Sequence, residues 1–195
     1  MSDTVRYLIR HAAVGVALLM AAGCDGGGES FTPPPNADVS GNWILNWTNM
    51  RGTVSGIGTL TCSAIGLHAT ITQTGTSLTG EIVGTWTLTC TAGGQSESET
   101  ATGGTISSGT VTGNHIHFHL ATEDANQDGT VQGNSMSGTA TWSADMGPPF
   151  GVVTLTGQWS GVRTTTTTAL APSPSVSSNE QSGLTAAIVR LLGGK

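Results

Sequence analysis

The chain has 195 residues, of which 29 are glycine, 36% are hydrophobic and 9% are charged, with a formal net charge of −6. Such a length suits one principal domain, and little charge with abundant Gly, Ser and Thr points to a β-rich or low-complexity chain, not a helical one. Few basic residues, scattered along an acidic chain, cannot neutralise a run of phosphates, which excludes nucleic acid as a partner.

Residues 1–23 divide as a secretory signal peptide does. Arg6, Arg10 and His11 are basic, 12–22 are apolar, and Ala21, Ala22 and Gly23 are small residues suited to cleavage. The apolar stretch is too short to span a bilayer, which takes roughly 20 residues. Cys24 follows at once, and the join resembles the lipobox of bacterial lipoproteins, with Ala21 where that motif usually has Leu. The resemblance implies that Cys24 is lipidated and becomes the mature N-terminus. The protein would then be exported and anchored in the inner or outer membrane of a bacterial cell envelope, its acyl chains holding it there. The tether, 24–38, contains a Gly-rich and then Pro-rich run (DGGGESFTPPP, 25–35) without apolar periodicity. Cleavage would remove Arg6 and Arg10 and leave Arg51, Arg163, Arg190 and Lys195 as the basic residues.

From 39 to 164 the apolar residues recur with period two between Gly, Asn and Asp turn signals, the pattern of antiparallel strands. The expected strands are 39–48, 57–73, 78–91, 103–112, 115–122, 129–133, 135–143 and 150–164. All five tryptophans (Trp43, Trp47, Trp86, Trp142 and Trp159) fall on the apolar parity of their strands. A short repeat, GTVTGNHI at 109–116 and GTVQGNSM at 129–136, reads as two hairpins with Gly-Asn turns. An exported chain favours a disulfide between the two cysteines that remain, Cys62 and Cys90. Register supports it. Pairing Ile71 with Ile82, with a one-residue bulge near Gly66 for the parity slip between Leu60/Cys62 and Leu67/Ile71, places Cys62 opposite Cys90.

About eight such strands predict an all-β fold, an antiparallel up-and-down β-barrel, with a β-sandwich as the alternative. Gly41-Asn42-Trp43 on the first strand and Arg163 on the last resemble the GxW motif and terminal Arg of the calycin superfamily, the lipocalins, avidins and their relatives. The resemblance covers roughly 39–164. It implies a barrel whose bottom is closed by Arg163 lying over Trp43, and it implies ligand binding inside the barrel. Residues 165–195 form a Thr/Ser/Pro-rich tail. Leu184, Ile188 and Leu191 near its end have the spacing of a short C-terminal helix, expected to be frayed or loosely packed, with a docking or membrane-surface contact as the alternative.

Three constellations could carry function. The tryptophan set could wall an apolar cup at the open end of the barrel or simply fill its core. His115, His117 and His119 alternate on one strand and share a face, a spacing at which neighbouring imidazoles can take Zn²⁺ or Cu²⁺. Ile116, Phe118 and Leu120 take the core parity, so the ladder should face outward. Asp124, Asn126 and Asp128 before Gly129 match the first half of a Ca²⁺ loop, although Ser135 occupies the twelfth position. Glu97 and Glu99 read as residues of a solvated loop. The sequence has no G-x-S-x-G, HExxH, P-loop or G-x-G-x-x-G motif, so the chain reads as non-enzymatic. The leading expectation is an envelope lipoprotein binding a small apolar ligand in its barrel. A metal-binding envelope protein and a structural surface protein without a small ligand are the alternatives.

Overall fold

The structure, a computed structural model, describes residues 35–148, 150–165 and 183–193. The signal segment, Cys24, most of the tether and the tail over 166–182 lie outside the described residues. Eight strands follow one another in antiparallel pairs: β1 (Gly41–Val54), β2 (Gly58–Thr74), β3 (Ser77–Ala92), β4 (Gln95–Thr112), β5 (His115–Leu120), β6 (Ala125–Gln132), β7 (Ser135–Asp145) and β8 (Val152–Thr164). A 3₁₀ turn at Ala121–Glu123 separates β5 from β6, and one helix, α1 (Gly183–Gly193), comes last. β8 pairs with β1, so the sheet closes into a barrel with neighbouring strands in sequence order. The up-and-down barrel is therefore as expected, and its architecture fits a calycin-like fold. Closure pairs β8 with β1, while β4 from Gln95 to Thr105 runs beyond β5 and is strand-paired on its β3 side alone.

Alternation explains the core. Inward residues such as Trp43, Leu45 and Trp47 of β1, or Ile116, Phe118 and Leu120 of β5, are buried, while their neighbours are partly or fully exposed. The strands outrun the expected bounds where bulges break the period. Asn49 takes a left-handed conformation (φ 53°) and moves the inward parity of β1 from Trp47 to Met50 and Val54. β1 thus continues to Val54 instead of ending at 48. β4 begins at Gln95 because Gly93 and Gly94 (φ 58° and 82°) form a two-residue turn that returns the chain along β3. The segment read as a polar loop is thus half of a hairpin. The repeat behaves as read, with Gly113 and Gly133 both at φ 59° in the turns that follow β4 and β6.

The disulfide joins Cys62 to Cys90, directly opposed on β2 and β3 and both buried. The register leading to it differs from expectation by two residues on the turn side. Ile71 faces Gly80, and Ala69 faces Ile82, because Thr74 pairs with Ser77 across a turn that starts at Gly75 (φ 63°). A register shift between Ile65 and His68, spanning Gly66, then brings the two cysteines level.

One end of the barrel is closed by the segment before β1. Val39 is fully buried there; its N–H donates to Gln73 Oε1 (2.8 Å), and Ala37 N–H donates to the Gly113 carbonyl (2.7 Å) across the barrel. Arg163 pairs with Trp43 across the seam and lays its guanidinium 4.7 Å from the indole centroid. Its two terminal nitrogens donate to the Ser40 and Asp38 carbonyls, and the Trp43 indole donates to the Val39 carbonyl (2.9 Å). The pair expected from the calycin resemblance is in place.

Loss of this cap should be costly. Arg163→Ala removes two charge-assisted hydrogen bonds and a cation–π contact, and a loss of about 2–3 kcal/mol is expected, read from the midpoint of urea unfolding. Arg163→Lys should recover only part, since an ammonium lacks the planar fork. Replacing both Cys62 and Cys90 by Ala should cost about 3 kcal/mol in the same assay.

Candidate ligand site in the barrel

At the end opposite Arg163, the β1–β2, β3–β4 and β7–β8 connections and the 3₁₀ turn surround a mouth. There α1 packs against β3 and β4 on one side and reaches β7 on the other. Ala187 and Ile188 are fully buried against the barrel, and Leu191 is 3% exposed, whereas Val189 faces solvent. The side chain of Leu184, the third residue of the expected apolar stripe, lies outside the described residues. A side chain on Gly183 would touch Ala101 Cβ (3.2 Å) and Trp86 Cη2 (3.7 Å), so the helix starts directly over β3 and β4. The C-terminal helix is docked, not loosely packed as expected. Its apolar stripe can be satisfied only by a neighbour, and the barrel mouth supplies one.

Two carboxylates from the rim hold α1. Glu123, 3% exposed, accepts a hydrogen bond from Gly183 N–H (3.1 Å), satisfying a donor at the positive end of the helix. Glu99 Oε2 lies 3.0 Å from Arg190 Nη1, near the other end. Neither contact follows from the one-dimensional pattern. Glu99 reads as a loop residue unless Gly93-Gly94 is recognised as a tight turn, which puts Glu97, Glu99 and Ala101 on the mouth-facing parity of β4.

Beneath α1, the aromatic side chains form a continuous group. Trp47 stands edge-on to Trp86 (centroids 6.0 Å apart) and tilted against Trp142 (5.3 Å). Phe118 and Trp159 form a second T-shaped pair (5.2 Å). Trp43 belongs to the opposite end with Arg163. All five tryptophans are at most 4% exposed. Their indole N–H groups differ. Those of Trp43, Trp86 and Trp159 donate to the backbone carbonyls of Val39 (2.9 Å), Gly103 (3.1 Å) and Asp128 (3.1 Å). Those of Trp47 and Trp142 have no acceptor among the described residues.

The histidine ladder takes the outer face. His115, His117 and His119 pair with Thr130, Asp128 and Asn126 of β6, and Asp128 lies between two imidazoles. Its carboxylate oxygens are 2.8 Å from His115 Nε2 and 3.3 Å from His117 Nδ1, while His119 Nε2 stands 3.9 Å from Asp124 Oδ1. The sequence spacing shows the ladder but not Asp128 opposite it, because the acid was assigned to a loop. Here the structure departs from the Ca²⁺ reading. Ala125–Gln132 is β6, so Asn126 and Asp128 project from alternate positions of a strand about 7 Å apart. Gln127 between them is buried, its side-chain amide nitrogen 2.9 Å from the Phe118 carbonyl and 3.0 Å from that of Ala125. Glu123, which could have completed the loop, is committed to α1. Among the described residues, no three His, Cys, Asp or Glu side chains are grouped as a metal ion requires.

No family model matches the chain, and searches of curated proteins and of solved structures find no match either.

The docking of α1 can be checked directly. Ile188→Asp puts an unpaired charge into an apolar contact. Amide protection over 185–191 should fall by at least tenfold in hydrogen exchange, and tryptophan emission should shift to the red as Trp86 becomes wet. Barrel amides should keep their protection.

Proposed function

We propose that this protein is an exported, lipid-anchored envelope protein whose barrel binds a small apolar ligand without chemical turnover. The carrying observation is the aromatic group of Trp47, Trp86 and Trp142 beneath α1, inside a barrel sealed at its other end by Trp43 and Arg163. Uncovered by displacement of α1, these aromatic faces would give a ligand much apolar area to bury, at about 25 cal/mol per Å². A helix seated over the mouth shields such a ligand from water, and its displacement is the natural route of entry.

Export and anchoring rest on the signal-like 1–23 and on Cys24, and the Cys62–Cys90 disulfide suits an oxidising compartment. Membrane attachment is assigned to the acyl chains proposed on Cys24; among the described residues no helix is long and apolar enough to cross a membrane.

Titration of the full chain with N-phenyl-1-naphthylamine, a neutral lipophilic probe, tests the ligand reading. Saturable quenching of tryptophan emission with rising probe fluorescence is expected, and Ile188→Asp should speed its onset. Absence of saturable binding to both proteins would refute it. Cys24→Ser should move the protein from the membrane fraction to the soluble one; retention in the membrane would refute the anchor.

A further inference from the structure

We infer that the ligand carries a neutral hydrogen-bond acceptor, such as a ketone, ester or amide carbonyl on a flat apolar body, received by the indole N–H groups of Trp47 and Trp142. The inference rests on the ligand-binding reading above and adds the chemical class. Trp47 and Trp142 are each 1% exposed, and each lacks an acceptor among the described residues, while the other three indoles in the same barrel are all partnered. A buried donor without a partner is unfavourable, and a chain that satisfies three indoles with backbone carbonyls has placed the remaining two where no carbonyl reaches. The two rings are neighbours, 5.3 Å between centroids, on β1 and β7, and Trp86 stands edge-on to the first. The two rings are in contact, so a ligand would lie against their edges once α1 is displaced, with its acceptor toward the N–H groups and its body on aromatic surface.

Charge narrows the class further. Arg163 is at the far end and engaged with Ser40, Asp38 and Trp43, while Arg190 faces Glu99. The mouth itself presents Glu99 and Glu123. A ligand carboxylate would be buried beside these acids without a counter-charge, which is strongly unfavourable. A ligand ammonium would leave both N–H groups unpaired. A neutral carbonyl meets both conditions.

The test uses the full chain and four probes on one naphthalene body: methyl 2-naphthyl ketone, 2-ethylnaphthalene, 2-naphthoate and 2-naphthyltrimethylammonium. Each competes against N-phenyl-1-naphthylamine. The ketone should bind about tenfold more tightly than the hydrocarbon, the gain expected of a hydrogen bond formed to a buried donor. Trp47→Phe and Trp142→Phe keep an aromatic body without the donor. In each the ketone's advantage should shrink severalfold while hydrocarbon affinity changes by less than about threefold. Infrared spectra of the bound ketone serve if a variant does not fold: the carbonyl band should lie below its position in hydrocarbon solvent. An unshifted band, equal affinity for ketone and hydrocarbon, or tighter binding of the naphthoate or ammonium probe would overturn the inference while leaving the ligand reading intact. If N-phenyl-1-naphthylamine itself fails to bind, the ligand reading falls and this inference with it.

Discussion

Eight strands that turn one apolar face the same way have to hide that face from water, and in this chain they do so by closing β8 onto β1. Every other feature depends on that seam. It lets five tryptophans be buried in a domain with few other aromatic side chains. It also sets Arg163 beside Trp43, where one guanidinium covers an indole and holds the carbonyls of the incoming chain. A single Arg therefore ties the last strand, the first strand and the segment before it. The scarcity of basic residues in this chain gives that one position unusual weight.

The two ends of the barrel are finished in different ways, and the difference organises the reading of function. At the Arg163 end the closing groups are local, since residues just before β1 meet turns between strands through backbone and side-chain hydrogen bonds. At the other end the cover is α1, which comes after the last strand and is held by an apolar stripe and two rim carboxylates. The strap at the Arg163 end is tied to several strands at once, by backbone and side-chain hydrogen bonds and by Arg163. A helix seated on one apolar stripe can leave without breaking a strand pair, and it would lose its helical order as it leaves, because short helices draw most of their stability from the surface they pack on.

The outer face carries a contrasting lesson. Three histidines on one strand suggest a ligand set by spacing alone, yet the two oxygens of Asp128 already occupy two of them. Alternation puts donors on a common face. Convergence on one point needs a second element, and here that element supplies one carboxylate in a cross-strand pair. The inner face reverses the case: tryptophan spacing is ordinary core patterning, and only the hydrogen-bond partners distinguish Trp47 and Trp142 from the rest.

Much of this architecture is written along the chain. Period-two alternation, Gly-Asn turns and the Cys62/Cys90 spacing are local signals, and they point to antiparallel strands with a cross-strand disulfide; they leave barrel and sandwich both open, and the Trp43–Arg163 closure is implied only by the calycin resemblance. The bounds of β1, β4 and β6 were not legible, because a left-handed Asn49, a Gly93-Gly94 turn and a buried Gln127 each interrupt the apolar alternation on which such reading relies. Nor could Glu99, Glu123 or the seat of α1 be read, since their partners lie far away in sequence and meet only once the barrel is closed. The sequence alone determined which face of each strand is apolar, a property of side chains taken one at a time. Only the tertiary structure decided which buried donors find an acceptor and which end of the barrel a helix covers, because both depend on distances between residues that no local pattern links.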